Sequence, residues 1–231
     1  MNKIKISPSM MCVDFLDLRT ELDLLKKYGI DLLHIDIMDG HYVPNFTMGI
    51  DFCKAIVSHS DIPLDFHLMV ENADQHLEIF CSIKNSLVTI HPETTRHPVR
   101  AIQRIRELGC KPGIAIDPAI SVDSLKHLLP LVDQVLVMSV NPGYAGQALI
   151  PFCINKLTEV RELLNEYKST AQIEIDGNVS WENIPKMVKA GADVLVVGTS
   201  SIYMNKNRDE NLTRLNNLIT QLSTQTTAIN L

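Results

Sequence analysis

Short runs of β-branched and other apolar residues alternate with longer stretches of helical periodicity along the whole chain. The short runs predict strands at residues 4–9, 32–38, 64–68, 87–91, 112–116, 134–139, 172–176 and 194–198. Between them, apolar positions three and four apart predict helices at 14–28, 50–58, 73–83, 97–108, 122–128, 151–167 and 181–190, with a last one at 209–221. Gly29, Gly109 and Gly191 each follow a helical stretch, where a left-handed C-cap is expected. Eight such strand–helix units predict an α/β protein built as a single (β/α)₈ TIM barrel. An open doubly wound sheet would carry a Gly-rich fingerprint after its first strand, and Ser7-Pro8-Ser9-Met10-Met11 has none. No Ser/Gly-rich linker or shift of composition divides the chain, so residues 1–222 read as one domain. The polar, unpatterned residues 223–231 read as a fraying tail.

Composition narrows the function. With 231 residues, 45% of them hydrophobic, the chain can bury a large core. A net charge of -6 with no basic cluster argues against nucleic acid or an anionic membrane surface as partner and favours a small soluble ligand. Cys12, Cys53, Cys81, Cys110 and Cys153 show neither disulfide-framework density nor zinc-ribbon spacing, which suits a reducing compartment. Residues 1–10 lack the apolar core of a signal peptide, and no apolar run reaches the roughly 18 residues of a membrane span, so a cytoplasmic location is expected.

Four polar residues interrupt this pattern in an informative way. In Leu32-Leu33-His34-Ile35-Asp36-Ile37-Met38, Leu33, Ile35 and Ile37 share one face, while His34, Asp36 and Met38 share the other. The same intrusion recurs in Asp65-Phe66-His67-Leu68-Met69-Val70 and in Ile173-Glu174-Ile175-Asp176, each time near a strand's C-terminal end. Leaving such groups buried without partners costs several kcal/mol, roughly, so they imply a shared ligand or a satisfied network. Two imidazoles and two carboxylates, His34, His67, Asp36 and Asp176, suit one divalent ion: Zn²⁺, Fe²⁺, Co²⁺ or Mn²⁺. Met38, Met69 and Met138 share this phase, either as adaptable core filler or as an apolar site lining. His91 and Glu93 end the fourth strand and could reach the site, but capping accounts for them equally well. Asp39 and His41 are expected to shape the loop after the second strand, and Asp117-Pro118 reads as a turn.

Barrels of this kind commonly hold phosphate on the loops after strands seven and eight. Here those loops read Asp176-Gly177-Asn178 and Gly198-Thr199-Ser200-Ser201, and the sixth strand ends in Asn141-Pro142-Gly143-Tyr144-Ala145-Gly146-Gln147. None contains Lys or Arg, so a phosphate would be held mainly by backbone N–H groups.

Ile6-Ser7-Pro8-Ser9, His34-Ile35-Asp36-Ile37-Met38-Asp39-Gly40, His67-Leu68-Met69-Val70, Val140-Asn141-Pro142-Gly143 and Asp176-Gly177 together resemble the ribulose-phosphate 3-epimerase family, in family order from Ile4 to about Tyr203. The resemblance implies a (β/α)₈ barrel, one divalent metal ion and inversion at carbon 3 of a ketose phosphate. It makes Asp36 and Asp176 the acid/base pair and His34, Asp36, His67 and Asp176 the metal ligands, with Ser9 and His67 on the substrate. Backbone around Gly143, Tyr144, Ala145 and Gly146, at Gly177 and Asn178, and at Gly198, Thr199 and Ser200 would hold the sugar phosphate. Proton removal beside a carbonyl becomes feasible when a metal ion stabilises the enediolate, and inversion needs two groups on opposite faces.

Ala145-Gly146-Gln147, Gly198-Thr199-Ser200 and His91-Pro92-Glu93-Thr94 look more like the allulose-6-phosphate 3-epimerase branch than the pentulose enzyme, so D-allulose 6-phosphate to D-fructose 6-phosphate is the expected reaction. D-Ribulose 5-phosphate to D-xylulose 5-phosphate is the alternative. Asn178 departs from both patterns. A barrel decarboxylase would carry a Lys in the second-strand motif, which this chain lacks; a non-catalytic sugar-phosphate binding barrel is the rival of another class. Apolar residues in 50–58 and 73–83 fit either a homo-oligomer interface or core packing.

Overall fold

The structure, a computed structural model, describes residues 3–229. Eight strands form one parallel sheet: β1 (Lys5–Pro8), β2 (Leu33–Met38), β3 (Leu64–Met69), β4 (Leu87–Ile90), β5 (Lys111–Ile116), β6 (Gln134–Met138), β7 (Gln172–Asp176) and β8 (Val194–Val197). Neighbours in sequence pair from β2 through β8, and β8 returns to pair with β1. The β1–β2 seam is narrower: Leu32 N–H donates to Ile6 C=O at 3.2 Å, and Ser9 bridges His34. This is the (β/α)₈ barrel that the alternation predicts.

Parallel strands covered on both sides are buried throughout, and every residue of β2, β3, β4, β6 and β8 is. On the outer face of β2, Leu33, Ile35 and Ile37 are at most 5% exposed and join the main core, which fills the ring between strands and helices. Each fully buried side chain of this kind contributes about 1.5–3 kcal/mol. Covering helices are α1 (Leu18–Lys27), α2 (Ile50–His59), α3 (Leu77–Phe80), α4 (Pro98–Glu107), α5 (Cys153–Glu166), α6 (Ile184–Ala190) and α7 (Arg208–Ile229). The α6 helix stops at Gly191, whose φ of 115° supplies the left-handed C-cap.

Three helical expectations need correction. No α-helix forms at 122–128, where two 3₁₀ turns stand instead, Val122–Leu125 and Leu129–Leu131. The segment is too short to nucleate well, and Pro130 disfavours helical backbone at the residue before it. The stretch 73–83 shortens to a 3₁₀ turn at Ala73–Gln75 followed by the single turn of α3. The final helix does not end near Leu222 but runs to Ile229; the hydroxyls of Ser223 and Thr224 bond back to Ile219 and Gln221 C=O at 2.9 and 2.8 Å, so they do not compete with the helix. Residues 230–231 of the expected tail lie outside the described residues. Among the described residues, no helix is long and apolar enough to cross a membrane.

Candidate active site

Sheet register brings the intruding polar residues together. His34 lies opposite Asp65, and Asp36 opposite His67, across the β2–β3 pair, so all four point into the barrel. Asp176 ends β7 on the far side, opposite Met138 of β6. One donor atom from each of His34, Asp36, His67 and Asp176 lies within 4.8 Å of the other three. Asp36 Oδ1 stands 3.3 Å from His67 Nδ1 and 3.4 Å from His34 Nε2, while Ser9 Oγ donates to Asp36 Oδ2 at 2.9 Å.

The two aspartates differ electrostatically. Burial opposes the charge on Asp36, but His34 and His67 beside it outweigh this and hold its carboxyl below the usual range. Burial and the nearby Asp36 charge both act on Asp176, pushing it up to about 7. Burial lowers His67 to about 4, a neutral imidazole at ordinary pH. Burial also opposes a charged His34, but Asp36 and Asp65 prevail and raise its pKa well above the usual value.

These residues fit a divalent cation. His34 Nδ1 donates to Asp65 Oδ2 at 2.9 Å, which directs Nε2 toward Asp36, His67 and Asp176. That Nε2 is buried and makes no hydrogen bond. An orphaned imidazole nitrogen among two carboxylates and a second imidazole is a donor set for Zn²⁺, Fe²⁺, Co²⁺ or Mn²⁺.

Above this cluster opens a cleft. Its walls include Ser9, Asp36, Asp176, all three methionines Met38, Met69 and Met138, and the loops carrying Gly143 to Gly146, Gly177 and Asn178, and Gly198 to Ser200. Neither Lys nor Arg lines it. Its loops are tied to one another: Asn45 Nδ2 donates to Gly143 C=O and Asn178 Nδ2 to Gln147 C=O, both at 2.8 Å, and Tyr144 Oη donates to Pro44 C=O at 2.7 Å.

The ribulose-phosphate 3-epimerase family model matches residues 5–203. Ribulose-phosphate 3-epimerase of Helicobacter pylori is 41% identical over 209 residues, covering 90% of this chain and 94% of that protein. The chain belongs to the ribulose-phosphate 3-epimerase family. It is thus an isomerase, an epimerase. The ribulose-phosphate 3-epimerase of Bacillus subtilis is 38% identical, covering 92% of this chain and 98% of its own. Among solved structures, a tryptophan synthase alpha-subunit from Pyrococcus furiosus superposes with a TM-score of 0.65 at 16% identity, covering 93% of this chain and 97% of that one, a likeness of fold alone.

Within this epimerase the expected site residues converge, with one difference of position. His67, expected on the substrate, is wholly buried beneath the cleft, as is His34. The Asn178 side chain is engaged within the protein, donating to Gln147 C=O at 2.8 Å and accepting from Asn183 Nδ2 at 3.0 Å. His91 does reach the site: its Nε2 lies 2.8 Å from His67 Nε2 and its Nδ1 2.9 Å from Tyr42 Oη and 3.2 Å from Asp117 Oδ1. Burial opposes charge on His91, but Asp117 and Glu93 raise its pKa. Asp117, read as part of a turn, therefore belongs to this network. Asp39 shapes its loop by accepting from the His41, Tyr42 and Glu71 N–H groups at 2.8, 3.0 and 2.8 Å.

Four residues near the site are absent from the expected set. Cys12 lines the cleft with its thiol pushed up to about 11 by burial, so it is not a ready nucleophile. Asp65, Gln134 and Glu174 sit under the four-residue cluster, all 0% exposed. Asp65 and Glu174 lie two residues before His67 and Asp176, in the same strand phase, and that spacing was the available signal.

Proposed function

We propose that this epimerase interconverts D-ribulose 5-phosphate and D-xylulose 5-phosphate, using Asp36 and Asp176 as the acid/base pair and His34, Asp36, His67 and Asp176 as ligands of one divalent metal ion. The observation that carries the chemistry is the convergence of Asp36 and Asp176 with His34 and His67 in one buried cluster at the floor of the cleft, with the Asp36 carboxyl held below the usual range and that of Asp176 raised above it. Relatives at 38–41% identity that bear the ribulose-phosphate name support the pentulose. Ala145-Gly146-Gln147 and Gly198-Thr199-Ser200 keep the hexulose pair, D-allulose 6-phosphate and D-fructose 6-phosphate, as the second reading.

In one direction the Asp36 carboxylate takes the proton from carbon 3, and the C–H electron pair moves into the adjacent carbonyl to form an enediolate. Asp176 then returns a proton to carbon 3 from the opposite face, which inverts the centre and leaves Asp36 protonated for the reverse direction. A metal ion supplies electrostatic stabilisation for the negative charge that develops during proton removal. Ser9, donating to Asp36 Oδ2, orients that carboxylate. Met38, Met69 and Met138 keep water from the reacting carbon, and the backbone of the Gly143–Gly146, Gly177–Asn178 and Gly198–Ser200 loops holds the phosphate. The five cysteines, all free thiols, support a cytoplasmic setting.

The test is NMR of proton exchange at carbon 3 in D₂O, with metal-loaded protein given ribulose 5-phosphate and fructose 6-phosphate separately. Exchange with epimer formation on the pentulose is expected. Preference for the hexulose would replace the substrate, and exchange with neither would refute the epimerase mechanism drawn here.

A further inference from the structure

His34 can serve a cation only if its free nitrogen faces the cluster, and nothing within the four-residue set decides this. As a cation ligand His34 is a neutral imidazole with a single N–H, and placing that N–H on Nε2 would direct a donor at Asp36 and close the site to a cation. The deciding group lies below. Asp65 stands directly opposite His34 in the β2–β3 register and is 0% exposed. Its Oδ2 accepts from His34 Nδ1 at 2.9 Å and from Ser7 Oγ at 3.0 Å. Its Oδ1 lies 3.4 Å from Gln134 Nε2, which also donates to Glu174. Glu174 Oε1 is 3.7 Å from His34 Nδ1, too far for a hydrogen bond.

We propose that Asp65 is a positioning residue: from outside the ligand set it holds the His34 N–H on Nδ1 and keeps Nε2 open toward Asp36, His67 and Asp176. The inference rests on the metal reading above. A carboxylate at this depth is poor core material, since an apolar residue of similar size would avoid its desolvation altogether. Its geometry accounts for it instead. Ser7 and Gln134 fix the carboxylate from β1 and β6, and the sheet register fixes its distance from the imidazole, so ring rotation in His34 would break the 2.9 Å bond. A carboxylate behind a ligand histidine also makes the metal-facing nitrogen more basic.

The test compares wild type, Asp65→Leu and Asp65→Asn by competition for Zn²⁺ against a chelating dye, with folding followed by circular dichroism. Loss of the acceptor in Asp65→Leu should weaken Zn²⁺ binding by about 10–100-fold, the usual range for removing such a partner. Asp65→Asn keeps an oxygen acceptor and should recover most of that loss, a rescue that a purely space-filling role would not require. Should Asp65→Leu not fold, ¹⁵N NMR of the histidine rings in zinc-loaded wild type reads the geometry directly, with His34 expected to keep a proton on Nδ1 and bind through Nε2. Wild-type affinity in Asp65→Leu, no rescue by Asp65→Asn, or His34 binding through Nδ1 would overturn the role of Asp65. Wild-type protein that binds no divalent ion would instead sink the metal reading, and the positioning role with it.

Discussion

Replacing Asp176 by Asn should abolish proton return while making the metal-free protein more stable above neutral pH. Burial and the Asp36 charge raise Asp176 from 3.8 to about 7, so the folded chain holds a proton that the unfolded chain has already released. Where the folded state binds more protons, stability falls as pH rises. The contribution is fully present below pH 4 and is lost as pH climbs toward 7 and beyond. A displacement of about three units, at about 1.4 kcal/mol per unit, gives a ceiling near 4 kcal/mol, and about 2–4 kcal/mol is expected because Asp36 and Asp176 titrate together. Asn has no proton to lose, so its curve should lack this decline. Urea unfolding of chelator-treated wild type and Asp176→Asn, run at steps from pH 4 to pH 9, reads the difference, while turnover of the metal-loaded variant should fall about a hundredfold or more. Parallel stability curves would refute the claim that Asp176 is forced into its acid form by burial beside Asp36.

Four further outcomes follow from the same geometry. Because Zn²⁺ competes with the proton on Asp176, Zn²⁺ affinity should drop by up to about tenfold per pH unit below about 7, and Zn²⁺ at 100 times its Kd should stabilise the fold by about 2.7 kcal/mol; calorimetry across pH and thermal unfolding check both. Gly177→Ala should destabilise by about 1–3 kcal/mol and weaken substrate binding, since φ is 107° and an added Cβ would meet Val140 Cγ2 at 2.7 Å; an unchanged urea midpoint would contradict this. Asn178→Ala removes the bond to Gln147 C=O at a residue with φ of 44°, so KM should rise with kcat nearly unchanged in steady-state assays.

Much of the barrel is legible in one dimension because both of its periodicities are local. Strand alternation shows that His34, Asp36 and Met38 leave the apolar face of β2, and the same reading of β3 and β7 places His67 and Asp176 at the strand ends where barrel sites form. The helical pattern is also local, but it overreached at 122–128, where a short segment before Pro130 settles as 3₁₀ turns.

Relations between strands are a different matter. Asp65 carries the same period-two signal as His67, yet its hydrogen bond to His34 depends on a register that pairs residues 31 positions apart. The direction of Asn178 depends on where the loop carrying Gln147 comes to rest, and the link from His67 through His91 to Asp117 joins the ends of three strands. Likewise Asp36 and Asp176 are both strand-end aspartates in the sequence, and only the tertiary surroundings separate their pKa values, His34 and His67 beside Asp36 against burial and the Asp36 charge at Asp176. By itself the sequence determined the strands and the polar residues that turn inward from them. The closed sheet decided which of those residues face one another, because proximity across a barrel, and with it every Coulomb and desolvation effect, depends on long-range register that local periodicity does not encode.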